Sequence, residues 1–158
     1  MSQSQRHSHQ CIAIATKTGQ RCRLRTARGR KCWLHTRRDE KVRIKRSGVP
    51  NGGLGLYTTE RVRKGQVIAR YTGEDLTKEQ VDQRYDGVRG QYVYCKSQDH
   101  CRDARRTDEP GLGRWVNDAR GSGQRPNAKL TKAYSVKARK NIPKGREVLV
   151  SYGAQYWR

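Results

Sequence analysis

Apolar positions along the chain fall in short alternating runs, and long stretches of helical period are missing. Residues 66–71 (Gln-Val-Ile-Ala-Arg-Tyr) and 147–152 (Glu-Val-Leu-Val-Ser-Tyr) are β-rich runs. A Lys-Gly pair precedes each, Lys64-Gly65 and Lys144-Gly145, and reads as a turn feeding a strand. The flanking Val62-Arg63-Lys64-Gly65 and Ile142-Pro143-Lys144-Gly145 form a weak internal echo. Residues 91–96 predict a third strand, with Tyr92 and Tyr94 on one face and Val93 on the other. The best helix covers 75–85, where Thr77 and Gln80 have the spacing of a capping box. Residues 98–113 are polar and turn-like, and 121–126 read as a second loop. The fold class expected from this pattern is mostly β, with small sheets and few short helices.

Composition sharpens the picture in two places. There is no Phe, so 8 Tyr and 3 Trp must supply the aromatic packing, and each brings a polar group that needs a partner. The 158 residues suit one domain, or a small domain with an appended module. Apolar runs such as 11–15 and 148–150 fall far short of the ~18 residues of a membrane span, and no signal-peptide apolar segment follows Met1. The expectation is an intracellular protein with no membrane partner, whose 5 Cys stay reduced unless they bind metal.

Charge changes the picture most. Lys and Arg number 36 against 14 Asp and Glu, a net +22, beyond the ~2–8 that suffices for solubility. A polyanion partner, nucleic acid or a nucleosome, is the physical expectation. Residues 1–46 carry 14 Lys or Arg and 2 Asp or Glu, whereas the rest of the chain carries 22 against 12. The shift falls at the turn-rich Ser47-Gly48-Val49-Pro50, which reads as the end of an N-terminal module. Residues 1–10, rich in Ser, Gln and His, are expected to be disordered.

Within that basic stretch Cys11, Cys22, Cys32 and His35 have the spacing C-x10-C-x9-C-x2-H. Three thiolates and an imidazole make one tetrahedral zinc set, and the close Cys32/His35 pair fits on a single turn around the ion. Gly19 and Gly29 stand near the ligands, where the chain must turn sharply. A module of this size, residues 11–40, is too small for its own core and would be folded by a structural Zn2+. It resembles small basic Cys3His modules that accompany other domains. Cys95 and Cys101, with His100, are too few for a second site and read as structural.

From residue 43 to 158 four elements occur in order. They are Gly53-Leu54-Gly55-Leu56-Tyr57, before a run leading to Tyr71-Thr72-Gly73-Glu74; Asp103-Ala104, followed by Gly113-Arg114-Trp115-Val116-Asn117 and Pro126-Asn127-Ala128; Ala138-Arg139-Lys140-Asn141-Ile142-Pro143-Lys144-Gly145-Arg146-Glu147; and Glu147-Val148-Leu149-Val150-Ser151-Tyr152-Gly153. Together they resemble the SET domain of protein lysine methyltransferases, with its GxG turn, YxGE element, RFINHSCxPN run and ELxxDYG end. The resemblance implies S-adenosyl-L-methionine as cofactor and a protein lysine as substrate, a histone tail above all, with a chromatin-associated, nuclear setting.

It also implies roles. Tyr152 takes the position of the catalytic Tyr, and Tyr94 lines the lysine site beside it. Gly53, Leu54, Gly55, Tyr92, Arg114, Asn117, Asp118 and Tyr152 fall at cofactor positions. Trp157, with Tyr156, stands where terminal aromatics close the pocket in minimal SET proteins, which lack the Cys-rich post-SET segment. Tyrosine suits the walls of a lysine channel. It is mostly apolar, so it disfavours an ammonium there, and it ends in a hydroxyl that is neutral at pH 7.

The sequence departs from the family where Asp118 and Ala119 replace His and Ser, where 120–125 lengthen the following loop, and where Ser151 replaces Asp. Two other readings therefore stand beside the enzyme. One is a SET-like protein that binds nucleic acid or chromatin without catalysis; the other is a basic packaging protein.

Overall fold

The alternating runs resolve into five small sheets in the computed structural model, which describes residues 8–106 and 111–157. In the N-terminal module β1 (His9–Gln10) pairs antiparallel with β2 (Arg25–Thr26), and α1 (Trp33–Glu40) follows. The expected disorder of residues 1–10 is thus not met at His9 and Gln10, which the ladder to Thr26 and Arg25 holds; residues 1–7 lie outside the described residues.

Next, β3 (Val42–Arg46) and β4 (Leu54–Thr58) form a five-pair antiparallel hairpin. The turn-rich 47–50 stretch is the loop of that hairpin and joins its two strands, so the change in composition there does not end a structural unit.

β5 (Val67–Arg70) comes next, then β6 (Glu74–Leu76), α2 (Lys78–Arg84), β7 (Val93–Ser97) and β8 (His100–Asp103). The expected capping box is present, because Thr77 Oγ1 accepts from Gln80 N while Gln80 Oε1 accepts from Thr77 N. The helix begins after Thr77, and Asp75 belongs to β6. Strand β8 corrects the turn-like reading of 98–113. It places Cys101 and Asp103 inside, and a strand that buries a carboxylate has no apolar alternation to read. Cys95 and Cys101 face each other across β7 and β8 and form a disulfide, which departs from the expectation of reduced cysteines.

The remaining strands are β9 (Asn117–Asp118), β10 (Ala128–Leu130), β11 (Ser135–Ala138) and β12 (Leu149–Val150). Sheet orders are β10-β11-β5 and β6-β8-β7, and the β9–β12 pair is parallel. The internal echo is spatial as well. Val62 and Ile142 exchange main-chain hydrogen bonds of 2.9 and 2.8 Å, and both turns place a glycine at positive φ, Gly65 at 88° and Gly145 at 80°.

The main core gathers Val42, Leu56, Trp115, Val116, Val136, Val148 and Val150 from most of these strands. Tyr71, Ala104 and Tyr134 form a second, aromatic cluster with Tyr92 and Tyr94 against it. Tyrosine does here what phenylalanine commonly does. Two edge-to-face pairs, Tyr71–Tyr94 and Tyr94–Tyr134, have ring centroids 5.9 Å apart, a favoured aromatic geometry. Among the described residues no helix is long and apolar enough to cross a membrane.

Candidate active site and Cys3His cluster

The four candidate metal-binding residues of the N-terminal module, Cys11, Cys22, Cys32 and His35, converge. Cys11 Sγ lies 3.6 Å from His35 Nδ1, Cys32 Sγ 3.2 Å from the same nitrogen, and Cys22 Sγ 3.9 Å from Cys32 Sγ. All four donor atoms are within 4.8 Å of one another and all four residues are buried. Thiolates about 2.3 Å from a tetrahedral zinc sit roughly 3.8 Å apart, so the donor set and its spacing fit the ion.

Local structure brings the ligands in. Cys32 is the N-cap of α1 and His35 lies in its first turn, while Cys11 N donates to Leu24 O and Cys22 N to Ala13 O at 2.8 Å. Gly19 turns the chain at φ 64°. Gly29 acts by close packing instead, since a Cβ there would press on Leu112. Burial pushes the Cys11 thiol up, but main-chain donors at Cys32 and Ala13 outweigh it and hold the thiol below its ordinary range.

The second group of residues surrounds Glu147, a buried carboxylate. Its Oε1 accepts from Ser47 Oγ at 2.6 Å, and its Oε2 accepts from Gly48 N and Tyr57 Oη at 2.9 Å. Asn117 Nδ2 donates to Leu54 O at 2.9 Å and reaches Glu147 Oε1 at 3.4 Å. The Gly53-Leu54-Gly55 turn is therefore clamped from below. Gly53 is glycine for its φ of 61°, with open space beside it, whereas Gly55 is glycine because a Cβ would overlap the Glu147 carboxylate. Asn127 grips the same segment from the other side. Its Nδ2 donates to Glu147 O and its Oδ1 accepts from Leu149 N, at 2.8 and 2.9 Å.

Strand β9 carries this scaffold to Tyr152. Tyr152 Oη donates to Val116 O at 2.6 Å, and Tyr152 N donates to Asp118 Oδ2 at 2.6 Å. Asp118 Oδ1 accepts from Arg120 N at 2.7 Å. Tyr152 lines a cleft of about 530 Å3 together with Tyr71, Tyr94, Arg114, Leu130 and Tyr156. Burial, followed by the nearby Tyr156 and Asp118, pushes the Tyr152 hydroxyl above the usual tyrosine range. Burial does the same for Tyr71 and Tyr94. All three stay neutral hydroxyls at physiological pH.

Arg114 is only 9% exposed. Its Nη1 donates to Ala104 O and Arg105 O at 2.6 and 2.8 Å, and its guanidinium lies 3.8 Å from the Tyr92 ring and 4.6 Å from that of Trp115. Its Nε is buried without a hydrogen-bond partner.

The structure brings Tyr152, Tyr94 and Arg114 to one cleft, and Gly53, Leu54, Gly55 and Asn117 to the Glu147 clamp. Asp118 links the two groups, and Tyr92 packs beneath Arg114 without lining the cleft. The Trp157 side chain lies outside the described residues. Sequence reasoning missed the organising role of Glu147. Its position five residues before Tyr152 in the terminal motif was the available signal.

Residues 53–153 match the SET domain family, beginning at the first glycine of the turn and ending at the glycine after Tyr152. That span exceeds half of the sequence, and the chain belongs to the SET domain family. The family consists generally of protein lysine methyltransferases. No curated protein matches the chain.

Proposed function

We propose that the protein is an S-adenosylmethionine-dependent protein lysine N-methyltransferase acting on a histone or another basic protein that travels with nucleic acid, in a chromatin-associated, intracellular setting. The observation that carries this reading is the placement of Tyr152 on a tyrosine-walled cleft, with its own hydroxyl proton committed to Val116 O.

The residues present fit the cofactor. Open space lies beside Gly53, and the unpartnered Arg114 Nε is a buried donor that suits a carboxylate such as the cofactor's methionine end carries. Gly53, Leu54, Gly55, Tyr92, Arg114, Asn117, Asp118 and Trp157 would hold it. When bound, it supplies a methyl group on a sulfonium, which a lysine amine can displace.

The chain's residues do the rest. Tyr71, Tyr94 and Tyr156 wall the channel and align the lysine stem with the donor. Their apolar rings disfavour an ammonium, so the amine reaches its neutral, nucleophilic form nearer neutral pH. The Tyr152 hydroxyl, oriented by its hydrogen bond to Val116 O, would meet the methyl through weak carbon–hydrogen contacts to its oxygen. Burial keeps it a neutral hydroxyl with no phenolate to accept a proton, so the amine's proton leaves to solvent. Asn117 and Asp118 would also fix main chain, Asn117 Nδ2 by donating to Leu54 O and the Asp118 carboxylate by accepting from the Tyr152 and Arg120 N–H groups.

The second reading, a SET-like protein that binds nucleic acid without catalysis, is favoured by Asp118 and Ala119 in place of the family's His and Ser. Calorimetric titration with S-adenosylmethionine, followed by label transfer to histones and nucleosomes, separates the two. Binding with transfer to lysine supports the enzyme. Neither binding nor transfer leaves the non-catalytic protein.

A further inference from the structure

Trp33 opens α1 with its indole 64% exposed. It borders a groove of about 340 Å3 whose other walls include Arg25, Arg28, Lys31, Arg43 and Ile44. The groove crosses the seam between the Cys3His module and the β3–β4 hairpin. The module is fastened to the short helical turn at residues 113–115 close by, where Trp115 Nε1 donates to Arg28 O at 2.9 Å. Arg25, Arg28 and Arg43 are exposed and make no ion pair among the described residues, whereas Lys31 is held by Asp39 and Glu40.

An exposed indole ringed by uncompensated guanidinium groups suits one class of polyanion. Cations track a sugar-phosphate backbone, and an aromatic ring stacks on an unpaired base. A duplex keeps its base faces inside the stack and offers the indole nothing. An acidic peptide would engage the arginines and leave the indole in water.

We infer that this groove binds single-stranded nucleic acid, with one base stacked on Trp33 and the backbone along Arg25, Arg28 and Arg43. The inference gives the polyanion partner expected from the net charge of +22 a definite surface and rests on that expectation. Binding alone reads it, so a failure of methyl transfer would leave it standing.

The test uses the full chain loaded with zinc and a fluorescent oligo(dT) of about twelve nucleotides, within the usual span of single-strand sites. A duplex of the same length serves as the comparison. Trp33→Ala is expected to weaken oligo(dT) binding about tenfold and to leave duplex binding unchanged, while Trp33→Phe keeps most of the affinity. Arg43→Gln is expected to lower the slope of log affinity against log salt by about 0.7. Trp33→Lys separates stacking from charge, because it adds a cation and is still expected to weaken single-strand binding. Equal binding of oligo(dT) by the parent and Trp33→Ala, an equal loss on the duplex, or tighter binding by Trp33→Lys would each overturn the inference.

Discussion

The Glu147 carboxylate occupies the place that a side chain on Gly55 would need, ninety-two residues earlier in the chain. The same carboxylate holds Ser47, Gly48 and Tyr57, so the loop, the hairpin and the final strand share one anchor. Gly55→Ala therefore cannot be absorbed locally. It is expected to lower stability by about 2 kcal/mol, as overpacking typically does, and to abolish measurable cofactor binding. Gly53→Ala faces open space but keeps a φ of 61°, and is expected to cost about 1 kcal/mol. Urea titration of both variants checks the order. A Gly55→Ala protein as stable as the parent would contradict the clamp.

The Cys3His cluster makes a prediction about metal. Elemental analysis is expected to give one zinc per chain, and chelation to lower the melting temperature and release the N-terminal module. Cys32→Ser is expected to do the same without chelator, because the Cys32 thiol is one of the four donor atoms, 3.2 Å from His35 Nδ1. The binding free energy of such a site is folding free energy. A metal-free chain with unchanged melting would count against the site.

Asp103 is fully buried at its side chain and accepts from Arg84 Nη1 at 2.9 Å and Tyr85 Oη at 2.8 Å. Asp103→Ala leaves Arg84 with only Glu74 and strands the Tyr85 hydroxyl. The expected loss is about 3 kcal/mol, typical of breaking a buried charged pair. Chemical denaturation measures it, and a loss below about 1 kcal/mol would show that water replaces the carboxylate.

Asp103 also explains part of what the sequence concealed. β8 was unreadable because its inward positions are Cys101 and Asp103, and a carboxylate turned inward cancels the alternation that marks a strand. α1 was unreadable for a related reason. Its buried residues are His35 and Thr36, chosen by the ligand cluster and not by an apolar stripe. The parallel pair β9–β12 is two residues long on each side and depends on Asn127 to hold it, which no local pattern signals. What could be read was local or covalently spaced: the Thr77/Gln80 cap, the Lys-Gly turns, and the ligands Cys11, Cys22, Cys32 and His35. Tyr152 and the Gly53-Leu54-Gly55 turn were legible only as ordered motifs. Their contacts run through Glu147, Asn117 and Val116, far apart in sequence.

The protonation of Tyr152 bears on the pH profile. Burial favours the neutral hydroxyl and so raises its pKa; the proton is kept where an ordinary tyrosine, near pH 10, loses it. Transfer is expected to rise with pH as the substrate amine loses its proton, and to show no descending limb around pH 10 while circular dichroism is unchanged. A fall centred there would mean that the hydroxyl ionises and that its surroundings are wetter than the structure shows.

If the Tyr152 hydroxyl, held by Val116 O, sits where the methyl group moves, its removal slows transfer and spares cofactor binding. Single-turnover transfer from methyl-labelled S-adenosylmethionine to histone lysine, measured for the parent and for Tyr152→Phe with cofactor affinity checked by calorimetry, tests it most directly. Tyr152→Phe is expected to bind the cofactor within a few-fold of the parent and to transfer at least about a hundredfold more slowly, the scale of losing one aligned transition-state contact. Transfer by Tyr152→Phe at the parent's rate would contradict it.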